Sequence, residues 1–289
     1  MKKPSEYSGV TIVNKAILKP YFPMFGKDIN KGDLGRVIIV GGSSNYVGAI
    51  LLSAEAAMRS GAGTSMIAST KKVTDALRER VTFSGLYPLS GEDCIVFDKE
   101  QFDEISKGAS SFAVGMGMAK GDADKIVGYL YSQTKANFVV DADGLKSLGL
   151  NAEKYDFRAV FTPHPKEFSY ISGLSVDEIL SNPIEVAKDY AVRHKVILLL
   201  KGFETVITDG ESVLVNTAGA PKMAKGGSGD VLSGVIAAQL ARGMEPLYAA
   251  AAGAYLCGRS AEMSDMNEYS YLPSETIRGL VKAIDELTK

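Results

Sequence analysis

The stretch Lys225-Gly226-Gly227-Ser228-Gly229-Asp230-Val231-Leu232-Ser233-Gly234 places a carboxylate directly after a glycine-rich turn. Val231, Leu232, Val235, Ile236 and Leu240 then recur on one helical face, so the glycines open a helix. Such a start presents unpaired backbone N–H groups and the positive end of the macrodipole, which together hold an anion. Glycines there let the backbone approach a phosphate closely. Asp230 suits a purely anion-binding role badly, because its charge repels phosphate. It suits a general base, taking a proton from a hydroxyl that attacks a phosphoryl group. The alternative is an ordinary helix N-terminal aspartate, favoured by the dipole.

Other residue types with chemical capacity fall between the apolar runs. His164 is restrained between Pro163 and Pro165, and Glu167 follows three positions on. The histidine suits a polar contact to a ligand, and Glu167 is a candidate to hold Mg²⁺ through water. The alternative is a rigid turn followed by a helix-start glutamate. Lys201-Gly202 places a cation after an apolar strand, where it contacts phosphate or merely snorkels. Asp141 and Asp143 either coordinate Mg²⁺ or a substrate hydroxyl, or close the loop by Asx-turn chemistry. Gly41-Gly42-Ser43-Ser44 lines a pocket or forms a tight turn. His194, between Arg193 and Lys195, reads as a helix-dipole partner. A Walker A loop is absent, since Gly48 is followed by Ala49. The Rossmann fingerprint fails too, because Lys120 stands where the third glycine after Gly115-Met116-Gly117 belongs.

The elements that must position these residues alternate. Strands are expected over 36–40, 64–69, 111–114, 137–141, 159–162 and 196–200. Helices are expected over 13–19 (ending at Pro20), 49–60, 73–80, 122–133 and 184–195. A hairpin joins 205–208 to 212–216 around Asp209-Gly210-Glu211. Three helices, over 230–242, 245–263 and 274–287, close the chain. This rhythm predicts an α/β fold with a parallel sheet covered on both faces. There is no linker composition, charge block or internal repeat, so residues 1–289 read as a single domain. Ligands in such folds lie beyond the C-terminal ends of the strands. The polar and glycine-rich segments fall at those ends and can converge on one edge.

Composition narrows the function classes. A hydrophobic share of 46% in 289 residues supports a sizeable core. A net charge of −2 gives no electrostatic case for a nucleic-acid or anionic-membrane partner. No apolar run is long enough to span a bilayer. The N-terminal residues carry two lysines but no signal-peptide core, so a cytoplasmic location is expected. Cys94 and Cys257 stand alone and far apart, which argues against a disulfide framework or a zinc site.

Together the motifs resemble the ribokinase-like superfamily and, within it, the ADP/ATP-dependent NAD(P)H-hydrate dehydratases. The similarity is carried by Lys31-Gly32-Asp33-Leu34-Gly35-Arg36, Gly41-Gly42-Ser43 with Gly48-Ala49, Ala57-Met58-Arg59-Ser60-Gly61-Ala62-Gly63, Asp141-Ala142-Asp143-Gly144-Leu145, Thr162-Pro163-His164-Pro165-Lys166-Glu167-Phe168, Leu200-Lys201-Gly202 and the stretch 225–234. Two positions depart from the family pattern. Gly115-Met116-Gly117 replaces Gly-Pro-Gly, and Ala220-Pro221-Lys222 replaces Asn-Pro-Gly.

The resemblance implies a ribokinase-like three-layer sandwich, with a central, mostly parallel sheet and helices on both faces. It implies a hydro-lyase of metabolite repair that returns hydrated NADH or NADPH to NAD(P)H. An adenine nucleotide, ADP as the favoured donor or ATP, phosphorylates the ring hydroxyl with Mg²⁺, and phosphate then leaves. Carried over by position, Asp230 is the catalytic base, and Ala49, Gly117, His164 and Asp230 contact the hydrated dinucleotide. Lys201, Gly202, Phe203, Glu204, Thr205, Gly227, Ser228 and Gly229 contact the adenine nucleotide. The resemblance also implies a homo-oligomer, a tetramer among the forms, and a stand-alone dehydratase without the epimerase domain of fused members. Two rivals stay open. One is a small-molecule kinase of the same superfamily, acting on a hydroxymethylpyrimidine or hydroxyethylthiazole. The other is a non-catalytic nucleotide-binding protein on the same fold.

Overall fold

In Arg36–Val40 every residue after the first is fully buried, but alternate side chains go opposite ways. Val37 and Ile39 enter one apolar cluster, and Ile38 and Val40 enter another. That is the pattern of a strand covered on both faces. The computed structural model of the protein describes residues 3–119, 121–151 and 155–289. Lys120, the residue that breaks the Rossmann fingerprint, lies outside the described residues.

The described strands form one sheet. They are β1 (Thr11–Ile12), β2 (Arg36–Val40), β3 (Thr64–Thr70), β4 (Gly85–Leu89), β5 (Ser111–Val114), β6 (Asn137–Val140), β7 (Ala159–Phe161), β8 (Ile197–Leu200), β9 (Thr205–Thr208) and β10 (Val213–Asn216). Their order is β1-β10-β9-β8-β7-β6-β5-β2-β3-β4. From β8 to β4 all neighbours are parallel. The hairpin strand β9 is antiparallel to both its neighbours, and β1 adds parallel to β10.

The described helices are α1 (Lys15–Leu18), α2 (Val47–Arg59), α3 (Lys71–Leu77), α4 (Lys99–Ser106), α5 (Ala123–Gln133), α6 (Ala142–Leu148), α7 (Pro165–Ser172), α8 (Val176–Ser181), α9 (Pro183–His194), α10 (Ser228–Ala241), α11 (Pro246–Glu262) and α12 (Pro273–Thr288). Helices α2, α10, α11 and α12 bury their apolar residues on one face of the sheet. Helices α4, α5, α7 and α9 do so on the other. The molecule is therefore the mostly parallel, three-layer ribokinase-like sandwich that the sequence implies. Among the described residues no helix is long and apolar enough to cross a membrane.

Register levels the C-terminal ends of the central strands. Val114 pairs with Val40 and with Val140, Val140 with Phe161, and Phe161 with Leu198. The next residues leave the sheet along one edge, held by backbone bonds such as Asp141 N–H to Val114 C=O (3.1 Å) and Lys201 N–H to Pro163 C=O (2.9 Å).

The differences from the expected elements have local causes. The helix expected over 13–19 is only α1, capped by Asn14, because Pro20 turns the chain into a 3₁₀ turn at Lys19–Tyr21. Strand β4 escapes detection because Pro88 interrupts its pattern, which only an edge position tolerates. Helix α10 begins at Ser228 rather than Asp230, since Gly227 serves as its N-cap with φ 99°. Asp230 is thus inside the first turn.

Helix α10 is buried from Val231 to Ala241, and it crosses α2 at a glycine. A Cβ at Gly234 would lie 2.0 Å from the Ser53 carbonyl oxygen. Gly234→Ala should therefore cost about 3 kcal/mol in urea unfolding, as overpacking against backbone does. Gly128→Ala in α5, where nothing lies within 4 Å, should instead gain about 0.5–1 kcal/mol from helix propensity.

Candidate active site

A buried ion cluster forms where β6, β8, α7 and α10 meet. Asp141, the residue after β6, is 2% exposed. Its Oδ1 accepts from Lys201 Nζ at 3.0 Å, and its Oδ2 accepts from Ser233 Oγ of α10 at 3.0 Å. Glu167 Oε2 of α7 lies 3.6 Å from the same ammonium. Burial works to raise the Asp141 pKa, but the Lys201 charge, with the Thr162 and Ser233 hydroxyls, holds it below the ordinary carboxylate range. Burial likewise opposes the Lys201 charge, and Asp141 with Glu167 outweighs it. The pair stays ionised.

Glu167 also orders the histidine. The His164 N–H donates to Glu167 Oε2 (2.9 Å), and the Glu167 N–H donates to His164 Nδ1 (3.1 Å). This reciprocal capping box starts α7, with Pro165 in its first turn. Since Nδ1 accepts, the neutral ring carries its proton on Nε2. Burial, against the opposing charge of Glu167 and with help from Lys201, lowers the His164 pKa and keeps the ring neutral.

Asp230 sits above this cluster with its pKa pushed up to about 7. Burial is the main cause and the nearby Asp141 charge the second, while Lys201 opposes them. A carboxyl group poised there gives and takes protons near neutrality.

The first turn of α10 divides two hollows. A cavity of about 520 Å³ is lined by Lys201, Gly202, Phe203 and Thr205 on one wall and by Ser228 and Gly229 on another. A wider cleft of about 1300 Å³ is lined by Ala49, Gly117, His164, Gly227 and Asp230. Gly117 is at φ 63°, and a Cβ there would lie 2.7 Å from Tyr46 Cβ and 3.1 Å from Ala49 Cβ. The glycine lets this wall fold against α2.

The structure thus brings Ala49, Gly117, His164 and Asp230 to one cleft. It brings Lys201, Gly202, Phe203, Thr205, Ser228 and Gly229 to the other. Two others of the expected nucleotide contacts, Gly227 and Glu204, do not line the smaller hollow. Gly227 faces the wide cleft, because its N-cap conformation directs it toward Leu52 and Pro273. Glu204 lines neither hollow; its carboxylate accepts from the Ser5 N–H (2.7 Å) and Ser5 Oγ (2.8 Å). Asp143 makes no Asx turn; it ties two loops together, accepting from the Ala119 N–H (2.8 Å), 24 positions away, and pairing with Lys146 (3.1 Å). His194 is buried against the Tyr190 ring, a packing role beyond the helix terminus. No local pattern shows that Ser233 meets Asp141, since that contact joins residues 92 positions apart. Nor does one reveal Asn216, Leu232 and Cys257 as cavity walls, which depend on how β10, α10 and α11 pack.

Among the described residues no group of three or more His, Cys, Asp or Glu side chains could hold a metal ion. Glu167 spends one oxygen on a backbone N–H and lies beside an ammonium, so direct ligation there is unfavourable. A magnesium ion would reach Glu167 here only through water, with its direct ligands supplied by phosphate oxygens.

Residues 37–282 match the family model described as NAD(P)H-hydrate dehydratase. The chain belongs to that family. It is 34% identical to an ADP-dependent (S)-NAD(P)H-hydrate dehydratase of Cenarchaeum symbiosum, over 85% of this chain and 86% of that protein. It is 37% identical to a bifunctional NAD(P)H-hydrate repair enzyme of Hyperthermus butylicus, over 81% of this chain. The chain spans about half the length of the first curated relatives it matches, 45% in that case. The ADP/ATP-dependent NAD(P)H-hydrate dehydratase of Bacillus subtilis, co-crystallized with ATP/Mg²⁺, shares the fold with a TM-score of 0.84 and 24% identity. That match covers 97% of this chain and 100% of the other.

The Asp230 shift has a consequence for stability. A carboxyl whose folded pKa lies above its unfolded value binds more protons folded than unfolded. Its contribution is complete below the unfolded value near 3.8 and is lost as pH rises through about 7. Asp230→Asn, which cannot ionise, should therefore be more stable than the wild type at pH 8 by about 1–3 kcal/mol. The gap should close by about pH 4. Thermal unfolding of both proteins across that range measures it.

Proposed function

We propose that this protein restores NADH and NADPH from their hydrated forms, using an adenine nucleotide to phosphorylate the ring hydroxyl and then expelling phosphate. The observation that carries the reading is Asp230, poised near neutrality in the first turn of α10 where that turn parts the two hollows. Hydroxide is a poor leaving group and phosphate a good one, so the nucleotide supplies what a plain dehydration lacks.

In this reading the nucleotide occupies the 520 Å³ cavity, with its terminal phosphate at Ser228 and Gly229. The Ser228 N–H donates to the Lys225 carbonyl (3.3 Å), which leaves the Gly229 and Asp230 N–H groups of the first turn of α10 to face the developing charge. Magnesium bound to the phosphates would neutralise their charge during transfer. The hydrated ring lies in the wide cleft between Ala49, Gly117 and His164, with its hydroxyl toward Asp230. Asp230 takes the hydroxyl proton as the oxygen attacks phosphorus, and the shortened nucleotide leaves. Elimination then breaks the ring C–O bond as phosphate leaves, a proton of the neighbouring C–H bond passes to water, and the electrons of that bond form the new double bond. The products are the dihydropyridine, inorganic phosphate and AMP or ADP. His164 lines the same cleft, with its Nε2 3.4 Å from Glu167 Oε1, and in this reading its ring borders the dinucleotide. ADP is the favoured donor, in keeping with the name of the Cenarchaeum relative.

The size of the wide cleft favours this reading over a kinase for a single heterocycle. The cleft runs from residues 45–49 across Gly117 to residues 142–147 and 226–230, a longer wall than one pyrimidine or thiazole ring needs.

The test follows the near-ultraviolet band of the restored dihydropyridine. Protein, Mg²⁺ and hydrated NADH should give a rise on addition of ADP or of ATP, and no rise without nucleotide. Asp230→Asn should lose about two orders of magnitude or more in turnover while still binding nucleotide. The wild-type rate should fall as pH drops below about 7, because the base must be ionised. Near-normal turnover of Asp230→Asn would overturn the assignment of the base.

A further inference from the structure

The loop between β8 and β9, with Thr205 at the start of β9, is one wall of the 520 Å³ cavity. Its own packing is poor. The Phe203 side chain is 86% exposed. On the side away from the cavity lies a second hollow of about 210 Å³, lined by Lys3, Pro4, Ile179, Leu180, Pro183 and the loop itself. The loop therefore has open space behind it rather than a packed floor.

The N-terminal segment reaches the loop at Glu204 and at Phe203. Ser5 gives Glu204 a two-pronged grip: its N–H donates to Oε2 at 2.7 Å and its Oγ donates to Oε1 at 2.8 Å. These bonds join residues 199 positions apart. The Ser5 side of the grip is itself fixed. Pro4–Glu6 form a 3₁₀ turn in which the Lys3 N–H donates to Glu6 Oε2. Tyr7, Val10 and Ile12 then pack against the core, and β1 joins the sheet beside β10. Lys3 Nζ also lies 5.6 Å from the centre of the Phe203 ring.

We propose that the N-terminal segment is a latch, in which Ser5 holds Glu204 and so positions residues 201–205 as the wall of the nucleotide cavity. Ser5 touches no reacting group; it is a positioning residue that acts through Glu204. Without the grip, residues 202–204 can relax toward the hollow behind them, and the cavity loses a preformed wall. Nucleotide binding then carries the cost of ordering the loop. The wide cleft, on the far side of α10, is untouched. The proposal rests on the reading of the 520 Å³ cavity as the nucleotide site.

The experiment is calorimetric titration of ADP with Mg²⁺ into the wild type, Ser5→Ala and Ser5→Thr, alongside thermal unfolding and steady-state kinetics. Ser5→Ala keeps the backbone bond and loses the hydroxyl bond to a charged acceptor. Its ADP affinity should weaken roughly three- to ten-fold. The kcat and the KM for hydrated NADH should hold, the unfolding temperature should stay within about 1 °C, and Ser5→Thr should recover the affinity. Unchanged ADP affinity in Ser5→Ala, while the wild type binds ADP, would overturn the latch alone. A fall in unfolding temperature with both KM values rising together, or no recovery by threonine, would overturn it in favour of a merely structural contact. Failure of the wild type to bind either ADP or ATP would instead overturn the nucleotide reading beneath it.

Discussion

The buried pair of Asp141 and Lys201 is the constraint from which the site grows. It ties the end of β6 to the end of β8, and through Ser233 and Glu167 it fastens α10 and α7 to both. Breaking such a pair by removing one partner leaves an unpaired charge out of water, at a cost of about 3–5 kcal/mol. It also sets the chemistry above it. Lys201 is shared by two carboxylates, so its charge is largely spoken for, and the Asp141 charge helps keep the Asp230 proton on near neutrality. One cluster thus fastens four elements and helps set the Asp230 pKa.

Closeness makes this arrangement possible. A Cβ at Gly229 would lie 3.3 Å from Asp141 Oδ2 and 3.4 Å from Lys201 Nζ, so the first turn of α10 rests directly on the ion pair. Gly227 turns the chain in at positive φ just before it. The helix then separates the two hollows by little more than the thickness of its own backbone. A phosphoryl group bound at its N-terminus lies within reach of both, which is the geometry that transfer between a nucleotide and a second substrate demands.

Much of this was legible in the sequence, and the limits have physical causes. The central strands and the hairpin announce themselves because burial on both faces forces continuous β-branched and leucine runs, as in Val196-Ile197-Leu198-Leu199-Leu200. Asp230 stands out because a carboxylate after a glycine-rich turn is unexpected at a phosphate site. Strand β4, with its edge proline, and the short helices α6, α7 and α8 carry no such periodic signal. Side-chain partners were further from reach. Glu204 and Gly227 were expected at the nucleotide by their position in the family pattern, yet a backbone that turns by one residue puts neither on the wall of the smaller hollow. The grip of Ser5 on Glu204 and of Ser233 on Asp141 are long-range contacts that no local pattern encodes.

The central claim is that the ring hydroxyl leaves as phosphate, after accepting a phosphoryl group across the start of α10. Hydrated NADH labelled with ¹⁸O in that hydroxyl, turned over with ADP and Mg²⁺, tests it directly, with the released phosphate read by ³¹P NMR for the isotope shift of a single heavy oxygen. The account predicts that the label appears in inorganic phosphate. Label released into water, with unlabelled phosphate, would contradict it and point to direct loss of hydroxide uncoupled from phosphoryl transfer.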